Sequence, residues 1–243
     1  MFQAICHCTI SLFLLLAVSL NSAAAAHSET IRIEGTTLYF TGKIEQHTAD
    51  DLFEQIKGKS IRKLVVSSSG GEVMAAMDIG LWMFENSIDI EIDRMCFSSC
   101  ANYLFTAANH KTIPPGSVVA WHGDLRQLDV TPEVLAEKIR EVAEESSAEA
   151  VGHLVESMLI YHQDGIRKQD AFFEVIGVNP DICSIGVEYG AEDFFILSVA
   201  DMASFGVDDI AAAADYLQTD LSEFNRYVPV AAVKLDAGLQ PAD

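Results

Sequence analysis

Leu64-Val65-Val66-Ser67-Ser68-Ser69-Gly70-Gly71 reads as a short strand that runs out into serines and a pair of glycines. Val73 to Asn86 follows, with apolar residues at 73, 77, 81 and 84, close to helical spacing. Ile88, Ile90 and Ile92 then alternate with Asp89, Glu91 and Asp93, the period of a strand with one face in water. Strand, helix and strand in so short a stretch make a β-α-β unit. Its crossover favours an α/β fold of parallel strands covered by helices. Working outward, Leu38-Tyr39-Phe40 predicts an earlier strand, and Asp50 to Lys57 a helix with Leu52, Phe53 and Ile56 on one face.

The second half is more helical. Thr131-Pro132-Glu133 supplies an N-cap, a proline at the first helical position and an acid in the first turn. From there one long helix, or two, is expected over 131–163, past Glu145 and Ala150, with Asp164-Gly165 as the stop. Val228 to Val233 predicts a late strand, and Asp236 to Asp243 a frayed end. The chain has no internal repeat and no Pro- or Ser-rich linker, so a single domain over residues 27–243 is expected.

The chemistry-bearing residues lie where strands end. Beyond Gly70-Gly71 come Cys96-Phe97-Ser98-Ser99-Cys100-Ala101 and then Trp121-His122. A double glycine that exposes backbone, a serine at the mouth of an apolar helix and a downstream histidine are parts that acyl transfer needs. They can act as oxyanion donor, nucleophile and base. Each has a plainer reading as well. The glycines can form an ordinary turn, the serine can cap a helix, and the histidine can be structural. Ser98 competes with Ser99 for the nucleophile's role. A helix start favours developing negative charge, and an unperturbed histidine pKa of about 6.5 suits a base at neutral pH. His153 and His162 are not spaced to share a helix face as metal ligands, so no metal site is expected.

The order of these parts resembles the Clp protease proteolytic subunit and the wider ClpP/crotonase superfamily, above all ClpP-like periplasmic proteins with a Cys-x-Ser-x-Cys turn. Thr37 to Gly42 is similar to the first strand and its turn, and Leu64 to Gly71 to the strand before the oxyanion glycines. Ser98 to Ala107 is similar to the nucleophile and its helix, and Ser117 to His122 to the strand bearing the histidine, with a shortened loop at Asn109 to Thr112 between them. Phe195 to Val207 is similar to the segment after the family's aspartate. Residues 125–180 fit poorly and read as a helical insertion. The resemblance implies a ClpP/crotonase-like superhelix of β-α-β units. It implies Ser99 as nucleophile, His122 as base, Asp193 as the orienting acid, and the N–H groups of Gly71 and Cys100 as the oxyanion hole. Glu192 and Asp124 compete with Asp193. It further implies a homo-oligomer and a serine peptidase acting on peptides or unfolded chains, with no cofactor. A catalytically inactive binding or assembly protein is the alternative, and acyl-CoA chemistry a weaker third.

Composition narrows the setting. Ile10 to Leu20 is an apolar core followed by Asn21-Ser22 and Ala23 to Ala26, which predicts a signal peptide over 1–26 and a periplasmic or secreted protein. The apolar run is shorter than the roughly 20 residues a membrane span requires, so no membrane attachment is expected after cleavage. A formal net charge of −21 disfavours nucleic acid and anionic lipid as partners. Removing the leader takes Cys6 and Cys8 and leaves Cys96, Cys100 and Cys183. In a continuous helix, Cβ atoms four residues apart lie about 5–6 Å from each other, too far for the roughly 3.8 Å of a disulfide. A Cys96–Cys100 bridge therefore requires Cys96 to precede the helix. An oxidising compartment favours that bridge and leaves Cys183 free.

Overall fold

The computed structural model describes residues 30–143, 147–191 and 193–236. The expected signal peptide, Glu145, Glu192 and the chain end after Asp236 lie outside the described residues. The rest is a mixed α/β fold with a mostly parallel sheet and interleaved helices.

β1 (Thr30–Glu34) and β2 (Thr37–Thr41) form an antiparallel hairpin. α1 (Gln46–Ile56), β3 (Lys63–Ser68), α2 (Val73–Glu85) and β4 (Asp89–Phe97) then continue as parallel strands joined by helices. On the core face Leu38, Phe40, Leu64, Val66, Ile90 and Ile92 are all buried. The alternation at 88–93 thus sets the register, because a slip of one residue would turn Asp89 and Glu91 inward. α2 is apolar enough to be buried on several sides. Gly80 within it lets the backbone of the next helix come close: a Cβ there would lie 2.4 Å from the Tyr103 carbonyl oxygen.

β4 changes partner half-way. Ile90 and Glu91 pair with β5 (Lys111–Ile113), and Met95 to Phe97 pair with β6 (Val118–Ala120). Between the halves the register with β3 jumps from Val66↔Ile92 to Ser68↔Cys96, and Arg94 takes a φ of +83°. This is a bulge, which bends a strand and re-aims its end. Ser117 satisfies its loose backbone groups: the Arg94 N–H donates to Ser117 Oγ at 3.1 Å, and that hydroxyl donates to the Ile92 carbonyl at 2.9 Å. β5 begins inside Asn109–Thr112, the segment expected as a loop. It pairs on its far side with β8 (Ile210–Ala212).

Among the described residues of 125–180 there is no strand. α3 (Pro132–Val142) begins where Thr131-Pro132 predicts, with Thr131 Oγ1 accepting from the Val134 N–H. α4 (Ala148–Ile176) does not stop at Asp164-Gly165; it continues to Gly177, which ends it at a φ of +71°. Gly165 is there for closeness, since a Cβ would lie 2.7 Å from Leu125 Cδ1. After α4, β7 (Phe194–Leu197), α5 (Val199–Ser204) and β9 (Val230–Val233) follow in chain order around β8, and β7 and β9 form a small parallel sheet of their own. Reciprocal backbone bonds between Trp121 and Phe195, at 2.9 and 2.8 Å, dock β7 onto the end of β6. Among the described residues no helix is long and apolar enough to cross a membrane.

Candidate active site

Three segments meet at the carboxyl ends of the parallel strands, the end at which open α/β sheets bind ligands. The first follows β3. Ser68 is buried and accepts from the Gly70 N–H at 3.1 Å, and the chain then passes through Gly70 at φ +88° and Gly71 at φ +147°. Both glycines are required by space as well as by conformation. A Cβ on Gly70 would lie 2.6 Å from the Phe97 carbonyl oxygen and 2.7 Å from Ser98 Cβ; one on Gly71 would lie 2.0 Å from the Ile44 carbonyl oxygen. The Gly71 peptide is fixed on both sides, because Ile44 N–H donates to Gly70 O at 2.8 Å and Glu72 N–H to Ile44 O at 2.7 Å.

The second segment follows β4. Phe97 ends the strand, Ser98 takes a φ of +55°, and Ser99 at φ −57° already has helical geometry. A non-glycine residue in the left-handed region costs roughly 1–3 kcal/mol and persists only where its surroundings hold it. Here the Ser98 N–H donates to Ala120 O at 3.0 Å, and its own carbonyl accepts from Asn102 N–H at 2.8 Å. Cys96 and Cys100 are joined as a disulfide across the turn, with Cα atoms 5.2 Å apart. Cys96 therefore sits in the strand before the helix begins. The helix that follows, Cys100–Phe105, is wound as a π-helix, a form that recurs at functional sites.

The third segment follows β6. His122 Nε2 lies 2.7 Å from Ser98 Oγ, and the imidazole packs against the Phe194 ring with centroids 4.3 Å apart. Loss of hydration lowers the His122 pKa below its ordinary value, and the Asp193 carboxylate acts in the opposite direction. The next peptide is pinned as well. Asn102 Nδ2 donates to Gly123 O at 3.0 Å, and the Gly123 N–H donates to Cys183 O at 2.6 Å.

The structure thus brings Ser98 to the histidine, and not Ser99. Ser99 is 3 % exposed, and its hydroxyl donates to the Gly71 carbonyl at 2.8 Å. The difference is one of direction. A positive φ at the residue leaving the strand turns Ser98 outward over the strand ends and sends the following side chain down against Gly71. Among the described residues, neither the Gly71 N–H nor the Ser99 N–H meets a backbone acceptor. The latter is one of the free donors that open any helix. Cys100 is fully buried behind them.

Of the three acids weighed from sequence, Asp193 is exposed and acts on His122 through charge, without a hydrogen bond to the ring. Asp124 faces away from the histidine: its side chain is 3 % exposed and is held by Arg126 and Gln169. Glu192 lies outside the described residues. Cys183 is free and buried, with its thiol pKa pushed well up by burial. No cluster of His, Cys, Asp or Glu that could hold a metal ion occurs among the described residues. Sequence reading weighed Ser98 but preferred Ser99, whereas the structure sets Ser98 beside His122; it gave no sign of the contacts that Asn102 and Phe194 make around that histidine. Only the spacing of Cys96 and Cys100, which bracket Ser98 evenly, carried a signal for that serine.

Comparison with known protein families and with curated proteins finds no match.

Proposed function

We propose that this chain is an exported ClpP-like serine peptidase that hydrolyses peptides or unfolded polypeptides without ATP. One observation carries the reading: a serine held at positive φ between a strand and a helix, with its hydroxyl 2.7 Å from a histidine nitrogen. A strand-to-helix elbow of this kind is how a nucleophile is lifted clear of a sheet. Ser98 Oγ would attack the scissile carbonyl carbon while His122 Nε2 takes the hydroxyl proton. The resulting oxyanion would be met by the Gly71 and Ser99 N–H groups, one residue earlier than the Cys100 donor expected from sequence. His122 would then pass its proton to the leaving amine, and water would release the acyl group from Ser98 by the reverse route. The Asp193 charge would favour the imidazolium that forms between the two steps.

The site lies on open surface, with His122 exposed and Ser98 half-exposed, which suits an extended chain better than a small enclosed substrate. A second reading, a binding or assembly protein that has lost catalysis, is favoured by one feature. No carboxylate among the described residues hydrogen-bonds the histidine. An active-site-directed fluorophosphonate separates the two. Wild type and Ser99→Ala should label, Ser98→Ala should not, and His122→Ala should label far more slowly. Equal labelling of wild type and Ser98→Ala would remove the peptidase reading.

A further inference from the structure

The loop that leaves His122 is tied to α4 by a buried polar chain that hydrolysis itself does not use. Tyr103, in the helix that follows Ser98, donates its hydroxyl to Gln169 Oε1 at 2.6 Å. Gln169 Nε2 donates to Asp124 Oδ2 at 2.9 Å. Asp124 also accepts from Arg126 Nη1 at 2.9 Å and from the Arg126 N–H at 2.7 Å, and Arg126 reaches back to Asp170, beside Gln169 on α4. Tyr103 and Gln169 are both 0 % exposed. Buried polar groups of this kind are costly unless every member is paired, and a fully paired chain fixes one arrangement of the elements it joins.

Gln169 is the junction. Its carbonyl end holds the helix behind the nucleophile, and its amide end holds the residue two beyond the base. The contacts around it reinforce the same link: His122's neighbour Gly123 is bound by Asn102 of the nucleophile's helix, and Leu125 O lies 2.8 Å from His162 Nε2 of α4. Resting on the Ser98–His122 reading, we propose that Gln169, acting through Asp124, is a positioning residue that sets the alignment of His122 with Ser98. α4 is then part of the catalytic apparatus and not an appended insertion. The physical reason is sensitivity to distance: a shift of about 1 Å at a reacting pair can cost on the order of a hundredfold in rate.

The test is the rate of fluorophosphonate labelling as a function of probe concentration, on the full exported chain. Gln169→Glu sets a second carboxylate against Asp124 and should lower the limiting rate at least about tenfold, with the half-saturating concentration little changed. Asp124→Asn/Gln169→Glu exchanges donor and acceptor between the two side chains, at the cost of the Arg126 Nη1 bond to Asp124 Oδ2, and should recover part of that loss, as expected for two directly coupled residues. A wild-type limiting rate in Gln169→Glu would overturn the proposal, and so would a double variant as slow as the single one. If Gln169→Glu does not accumulate folded, Gln169→Met keeps the volume and removes both hydrogen bonds; an unchanged limiting rate there is equally fatal. Ser98→Ala in the same series keeps the two failures apart. Labelling that persists without Ser98 rejects the nucleophile itself, whereas labelling that needs Ser98 but ignores Gln169 rejects only the positioning role.

Discussion

The Ser99 hydroxyl donates to the Gly71 carbonyl at 2.8 Å, so the turn that bears Ser98 is fastened to the turn that follows β3. The two adjacent serines therefore have opposite mechanical roles, and substitution should separate them. Ser99→Ala leaves the partly buried Gly71 carbonyl without its hydroxyl partner and should destabilise the fold by about 1 kcal/mol. Ser98→Gly relieves a positive φ and should stabilise by up to about 1 kcal/mol, after the entropy cost of glycine, while abolishing labelling. Urea unfolding of both variants reads this directly; destabilisation by Ser98→Gly would contradict a strained turn at Ser98.

Gly71→Ala should be among the most damaging single changes in the chain. Its Cβ would lie 2.0 Å from the Ile44 carbonyl oxygen, at a φ of +147° that side chains rarely adopt. Neither neighbour can retreat, because both belong to the backbone bridge between Ile44 and Gly71. A loss of about 3 kcal/mol or more is expected, read as a fall in the urea midpoint. Gly116→Ala is the control for the conformational part alone, since its positive-φ glycine has open space around it.

The pH dependence of labelling should report His122. On the proposed mechanism the neutral imidazole acts as base, so the rate rises with pH through the pKa of that group. Desolvation holds this pKa below the ordinary histidine value and Asp193 opposes the shift. The wild-type midpoint should therefore fall below about 6.5. Phe194→Ala uncovers the ring to water and should move the midpoint up. Asp193→Asn removes the charge that favours the imidazolium and should move it down. Two midpoints shifting in the same direction would show that the causes have been assigned wrongly.

Cys96 and Cys100 close a very short loop, so the bridge should contribute little through chain entropy. Its expected effect is on the turn. In a chain of residues 27–243 made under oxidising conditions and denatured without reductant, alkylation should add one label, on Cys183. The Cys96→Ala/Cys100→Ala variant should label Ser98 several-fold more slowly while losing only a modest part of its stability. Three labels before reduction would exclude the bridge.

Where local periodicity carried the information, the fold could be read from sequence. Ile90 and Ile92 set against Asp89 and Glu91 define a strand wherever they occur, and Thr131-Pro132 begins α3 by rules that act within one turn. β5 and β8 could not be read in this way. Each spans three residues and exists because Lys111 to Ile113 pairs with Ile210 to Ala212, nearly a hundred positions along the chain. Gly165 misled for a related reason: a glycine that ends a helix and a glycine that admits Leu125 look alike in sequence.

By itself, the sequence determined the β-α-β order, the paired glycines after one strand, and the serine turn and histidine after two later strands, because these depend on residue type and short spacing. Tertiary structure alone decided which serine meets His122 and which residues Asp124 bonds. The first depends on a single φ, held by the Ala120 carbonyl from a neighbouring strand and by the missing Cβ of Gly70. The second depends on Gln169, which reaches Asp124 only because α4 runs on past Gly165 and packs against the loop behind the histidine. Contacts between residues so far apart in the chain leave no periodic mark, and it is these contacts that aim the site.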